Sequence, residues 1–227
     1  MTKHNKAESE EKKIGEALET SDVFLTKNKK SIIIAIIAVI VIIGGYFFYE
    51  NAIAKPKEIK AQEAISLGER YFMNGQYDLA LNGDSIYFDG FVKVANEYSG
   101  TKAANLSNYY IGVSYAKLGQ YQDAVKYLEK FSSKDEMIYP ASLVALGNCY
   151  ANLDKTDKAI STLKKAANIA DNTSISPIAL RQAGILLENQ KKFKEAVEVY
   201  TEIKNKYFNS GIANDIDKYI ERAKAQI

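Results

Sequence analysis

Four times along this chain a Gly is followed three residues later by Tyr or Leu and twelve residues later by Ala. The sets are Gly68/Tyr71/Ala80, Gly112/Tyr115/Ala124, Gly147/Tyr150/Ala159 and Gly184/Leu187/Ala196, at intervals of 44, 35 and 37 residues. A fixed internal spacing of this period is the signature of a stacked repeat array, in which each unit buries its apolar face against the next. Gly and Tyr three apart share one helix face, and a small residue twelve positions on falls on a second helix after a short break. Small residues at both places let two antiparallel helices approach closely while the Tyr ring fills the space beside them. The breaks are expected at Asn74-Gly75, Gly119-Gln120, Asp154-Lys155 and Gln190-Lys191, followed by Tyr77, Tyr121, Thr156 and Phe193.

These spacings resemble the tetratricopeptide repeat, a helix-turn-helix unit of about 34 residues. With the Gly as eighth residue, units start near Ala61, Asn105, Pro140 and Pro177. Pro140 and Pro177 suit the opening turn of a helix, where a missing N–H is harmless, and Ser176 is the expected N-cap before Pro177. Leu128 and Leu163 lie sixteen residues past their Gly, and Tyr200 matches them in unit four. The Trp usual at position four is replaced by Ala64, Asn108, Leu143 and Leu180. Unit one carries an insertion, roughly Leu81 to Gly90, read as a loop or as a second helix restarting near Asp84 or Asp89. Residues 212–227 place Ile212, Ile216, Tyr219, Ile220 and Ala223 at helical spacing opposite a charged face, as a capping helix requires.

The run Ile32 to Phe48 holds no charge and contains eight Ile, two Val and two Phe, with Lys27, Lys29 and Lys30 before it. With Ser31 and Tyr49 it would span about 28 Å as a helix, close to a bilayer's hydrocarbon thickness. Its side chains favour insertion by roughly 5 kcal/mol. A cleaved signal peptide is the alternative, with Ala52-Ile53-Ala54 as a cleavage triplet, but the apolar run is long and the charged stretch before it longer still. An uncleaved anchor is therefore expected. The lysines before the span put the N-terminus in the cytoplasm and the repeats on the far side, the periplasm in a bacterium. The tail has Ile14, Ala17, Leu18, Phe24 and Leu25 at helical spacing, consistent with an amphipathic surface helix or a disordered segment.

The expected architecture is therefore all-α. It comprises a cytoplasmic tail (1–30), a single transmembrane helix (31–49), a linker or helix start (50–60), an α-solenoid of about four tetratricopeptide repeats (61–211) and a C-terminal capping helix (212–227). Composition argues against several functions. From Glu50 onward 23 Lys and Arg face 22 Asp and Glu, so no basic stripe marks a nucleic-acid partner. The only His is His4 and the only Cys is Cys149, flanked by packing positions, so no nucleophile–base pair is expected. No metal-ligand spacing and no phosphate-binding loop is present, so no cofactor, metal or small-molecule substrate is expected, and the protein is read as no enzyme.

In the tetratricopeptide family the first helices of successive units line a concave groove that takes an extended or helical peptide. The resemblance places Ile65, Glu69, Phe72 and Met73 there from unit one, and Tyr109, Val113 and Lys117 from unit two. It adds Val144, Asn148 and Asn152 from unit three and Arg181, Ile185, Glu188 and Asn189 from unit four. Asn148 and Arg181 partly match the clamp by which some members hold a C-terminal carboxylate, without its supporting Lys and second Asn.

The lysine-flanked anchor followed by the repeats resembles the YfgM-like ancillary subunits of the bacterial SecYEG translocon. The segment Ala80-Leu81-Asn82-Gly83-Asp84 is similar to an insertion in Bacteroidetes versions. The resemblance implies a non-enzymatic, single-pass inner-membrane adaptor linking translocon subunits to a periplasmic chaperone or secreted clients. A structural adaptor for envelope assembly or division machinery is the alternative.

Overall fold

In the computed structural model residues 4–227 are described, with side chains described from Thr26 onward. The expected amphipathic positions Ile14, Ala17, Leu18, Phe24 and Leu25 lie outside that side-chain set. The chain divides into two units, residues 1–56 and 57–227.

In the first unit, helix α1 (His4–Tyr49) carries the apolar run, followed by a π-helical turn over Glu50–Ala54. The Asn51 amide donates to the Phe47 carbonyl (2.8 Å) and the Lys55 ammonium to Asn51 Oδ1 (2.8 Å). From Ile33 to Tyr49 the large apolar side chains are exposed, Ile42 and Phe48 by 70%. This helix is long and apolar enough to cross a membrane.

The second unit is built from helix pairs, and among the described residues no strand occurs. Helix α2 (Lys55–Met73) is followed by two short helices, α3 (Tyr77–Asn82) and α4 (Phe91–Glu97). The next pairs are α5 (Lys102–Lys117) with α6 (Tyr121–Leu128), α7 (Ile138–Asn152) with α8 (Thr156–Ala170), and α9 (Ser176–Asn189) with α10 (Phe193–Lys206). A 3-10 turn at Ala213–Asp215 leads into α11 (Ile216–Lys224), which packs on α10 and buries Ile216, Ile220 and Ala223. The solenoid of helix-turn-helix repeats with a closing helix is thus present, and the segment 50–60 is helical throughout.

The Gly of each repeat is the point of closest approach between paired helices. A Cβ on Gly112 would lie 2.5 Å from Leu128 Cγ, one on Gly147 2.7 Å from Leu163 Cγ, and one on Gly184 2.2 Å from Tyr200 Cε1. In each case the large residue is the one sixteen positions on. Unit one breaks this rule, because position sixteen there is Asp84, inside the insertion. The space beside Gly68 is filled instead by Phe88, 2.3 Å from where a Cβ would stand, and Phe91 at 2.7 Å. The insertion therefore returns its own aromatic to the core.

The turn between paired helices is the same in all four units. A left-handed residue sits seven positions past the Gly, at Gly75, Gly119, Asp154 and Lys191 (φ +74°, +78°, +57° and +59°). The following N–H closes on the carbonyl three past the Gly: Gln76 to Tyr71, Gln120 to Tyr115, Lys155 to Tyr150 and Lys192 to Leu187, each at 2.9 Å. This closure satisfies carbonyls that a helix end leaves open.

The insertion is a loop over residues 83–90, and the second half of the split helix restarts at Phe91, two residues past Asp89, as expected. One helix start differs from expectation. Ser176 does not cap α9. Its hydroxyl donates to the Ala167 carbonyl in α8 (2.8 Å) and accepts the Asn172 N–H (3.1 Å), while Asn172 Oδ1 takes the N–H groups of Ser174 and Ile175 in the turn before the helix. A buried hydroxyl left unpaired would cost about 1–3 kcal/mol, which the bond to α8 avoids. Gly184→Val should lower unfolding free energy by about 2 kcal/mol through overpacking against Tyr200, whereas Gly211→Ala, with open space around it, should stay within about 0.5 kcal/mol. Urea denaturation of the two variants checks this.

Candidate protein-interaction surface

The fourteen expected lining residues all fall on the first helices α2, α5, α7 and α9, but they do not all present free side chains. Ile65 is 5% exposed and packs in the core with Ala61 and Phe91, so it belongs to the interior rather than to a surface. Glu69 accepts from the Tyr110 hydroxyl (3.1 Å), and Phe72 meets the Tyr110 ring edge-on at 4.9 Å. Met73, at the end of α2, is 84% exposed. Tyr109 is half-buried against Tyr110 and Phe131, and burial raises its phenol pKa. Val113 and Val144 are half-buried against the larger core cluster, while Lys117 is exposed.

On α7 and α9 the surface is more open. Asn148 and Arg181 are half-buried and Asn152 and Asn189 exposed, with the Asn152 amide donating to the Asn148 carbonyl at 2.8 Å. Ile185 is half-buried. Glu188 is already committed. It accepts two bonds from the Arg222 guanidinium (2.7 and 2.9 Å) and one from the Tyr200 hydroxyl (2.6 Å), tying unit four to the closing helix. Burial alone would raise its pKa, but Arg222 and Tyr200 outweigh it and hold the carboxyl below its ordinary value. The side chains left to contact a ligand are therefore Met73, Val113, Lys117, Val144, Asn148, Asn152, Arg181, Ile185 and Asn189.

Residue spacing alone did not reveal Tyr110, whose ring stacks on Phe91 (4.9 Å, 12° between planes) and orders the unit-one end of this surface. Its signal was the Tyr109-Tyr110 pair, of which only one ring can face outward. Register between units one and two is fixed by polar ties. Glu58 on α2 accepts the N–H groups of Lys102 and Ala103 (2.6 and 3.1 Å) and the Lys57 ammonium reaches the Ser99 carbonyl (2.8 Å), while Thr101 Oγ1 caps α5 itself by accepting the Ala104 N–H (3.0 Å). A carboxylate at a helix N-terminus is favourably placed against its dipole.

Cys149 is 1% exposed, and burial pushes its thiol up to about 11, so it is protonated at neutral pH. Among the described residues no group of three His, Cys, Asp or Glu side chains is placed to hold a metal.

Comparison with known proteins supports the architecture. A family model described as the C-terminal domain of suppressor of spindle checkpoint defect 1 matches residues 112–223, just under half of the chain. No curated protein sequence matches significantly. Among solved structures, a putative kinesin light chain from Podosopora anserina with nearly identical TPR-like repeats is 18% identical, with a TM-score of 0.55 over 75% of this chain and 87% of that one. MamA protein is 18% identical, with a TM-score of 0.53 over 73% of this chain and 91% of that one. The chain thus has the tetratricopeptide-like fold.

Acid should loosen this array in a defined window. The Tyr71 hydroxyl and three backbone amides hold Asp84 low, and Lys206 and Tyr207 lower Asp171. Groups depressed in the fold stabilise it above their unfolded pKa, near 4, and lose that contribution as pH falls through the folded values. The melting temperature should be flat from pH 7 to about 5 and fall below about pH 4; Asp171→Asn should make that fall shallower in thermal scans.

Proposed function

We propose that this protein is a non-enzymatic, membrane-anchored scaffold that holds a protein or peptide along its first-helix surface. The observation that carries the reading is the mixed strip on α5, α7 and α9. Half-buried Val113, Val144 and Ile185 supply apolar contact, and Asn148, Arg181 and Asn189 supply directional polar groups whose side chains are not consumed by internal bonds, while Asn152 keeps its side-chain oxygen after its amide bonds the Asn148 carbonyl. Such a strip suits an extended or helical segment gripped by a few side chains. Arg181 is the residue expected to contribute most, since a half-buried guanidinium with no carboxylate partner among the described residues is a typical hot-spot group.

The compartment and partner follow the sequence. The lysines before the apolar run favour a cytoplasmic N-terminus with the repeats on the periplasmic side. The resemblance to translocon ancillary subunits makes translocon subunits and a periplasmic chaperone or secreted client the proposed partners, with envelope-assembly machinery as the second reading.

The full-length protein should resist alkaline extraction from membranes, and Ile40→Lys with Ile36→Lys should release it, since two central Lys cost about 6 kcal/mol, more than the roughly 5 kcal/mol that favours insertion. Photoreactive residues at Asn152 and Arg181 should give crosslinks in cells to translocon or chaperone subunits, and Arg181→Glu should cut adducts from the Asn152 probe about tenfold, on the order of 1.4 kcal/mol. Adducts to division or envelope-assembly proteins would favour the second reading, and none at either position would remove the surface from consideration.

A further inference from the structure

The inserted loop in unit one is built more firmly than a connection needs. Asp84 Oδ1 accepts the N–H groups of Ile86, Tyr87 and Phe88 (2.9, 2.7 and 2.9 Å), and Oδ2 accepts from the Tyr71 hydroxyl at 2.6 Å. The Asp84 N–H closes on the Phe88 carbonyl at 2.9 Å. At the loop's base Gly83 and Gly90 pack backbone on backbone. A Cβ on Gly83 would stand 2.1 Å from the Phe88 oxygen, and one on Gly90 2.4 Å from the Leu81 oxygen. Phe88 anchors the loop inward, while the two residues before it point out: Ile86 is 77% and Tyr87 81% exposed. Neither supports the fold, yet both are held in place. A pre-ordered aliphatic–aromatic pair loses little conformational freedom on binding and has the character of an interface anchor. The segment 76–97 around it is net acidic, with four carboxylates against one lysine, Lys93, which pairs with Asp89 at 2.8 Å.

The complement lies at the other end of the same array. At the turn into α10 a cleft of about 310 Å³ is lined by Lys191, Lys192, Phe193, Lys194, Glu195 and Ile227. Phe193, half-buried, and Ile227, 64% exposed, are its apolar residues, and three lysines outnumber its single side-chain carboxylate, Glu195. Lys192 leans on Asp157 (3.7 Å), but among the described residues neither Lys191 nor Lys194 has a carboxylate partner. Lys191 holds the left-handed turn position that glycine holds at Gly75 and Gly119, a conformation disfavoured for a residue with a Cβ.

We infer that the Ile86–Tyr87 tip of one copy of this chain docks into the Lys191–Lys194 cleft of a second copy. The apolar tip meets Phe193 and Ile227, and the net acidic segment around the tip meets the cleft's lysines. Because tip and cleft belong to the first and last repeats, the contact is head-to-tail: every copy in a row uses both surfaces, and the row extends unless its geometry closes into a ring.

The chain contains no Trp, so Tyr87→Trp in the full-length protein, in detergent micelles, places a single reporter at the tip. Its emission should shift to the blue as protein concentration rises a hundredfold, and Lys191→Glu with Lys194→Glu should abolish the shift. In sedimentation, the wild type should grow with concentration. Tyr87→Ser and the double lysine variant should each stay single, and their mixture should form pairs and nothing larger. All these positions are exposed, so far-ultraviolet dichroism should be unchanged. Water-like Trp emission at every concentration would overturn the inference. So would a blue shift independent of concentration, which would place the tip in the micelle, or assembly that survives both sets of substitutions.

Discussion

Each repeat depends on one contact, between a glycine on its first helix and a large residue sixteen positions later on its second. Removing a Cβ at Gly112, Gly147 and Gly184 is what allows Leu128, Leu163 and Tyr200 to lie against the opposing backbone. Other features of the pair follow from that distance. The small alanines Ala124, Ala159 and Ala196 are fully buried because the helices are too close for anything larger. The left-handed turn residue comes at one fixed offset because two helices this close must be joined in the same short span each time. Packing density, rather than any single hydrogen bond, sets the geometry.

Polar groups then set the register between units. Tyrosine hydroxyls donate to carboxylates on neighbouring elements: Tyr110 to Glu69, Tyr150 to Glu129, Tyr200 to Glu188 and Tyr207 to Asp171. In each the ring lies against apolar neighbours while its hydroxyl finds an acceptor at the edge, which satisfies both halves of an amphipathic side chain. Two buried clusters result, one from Ala61 to Ile111 and one from Ala124 to Ala223, and Tyr115 packs against both. Fixing successive first helices in this way gives the side chains on α7 and α9 a defined spacing.

Unit one shows how an insertion can be accommodated without loss of that packing. The loop displaces the residue that would oppose Gly68, and Phe88 and Phe91 take its place. The same backbone reversal that brings Phe88 inward turns Ile86 and Tyr87 outward. A core repair and an exposed apolar tip are therefore two consequences of one glycine-closed loop.

The repeat array, the position of each interhelical turn, the closing helix and the apolar run of α1 are legible from residue order alone, because each rests on spacing that a helix enforces locally. The fourteen expected lining residues lie on α2, α5, α7 and α9, but which of their side chains are free depends on the packed array. Ile65 turns inward because Gly68, one turn further along α2, draws that face of the helix against Phe88 and Phe91. Glu188 is spent on Arg222 and Tyr200 because the closing helix brings a guanidinium from 34 residues away to its side. Likewise, the Gly83–Gly90 loop could be recognised as irregular, but its inward Phe88 and outward Tyr87 follow from Asp84 folding the chain around its own carboxylate. Spacing along one helix is a local property; burial and partnership depend on what arrives from elsewhere in the chain.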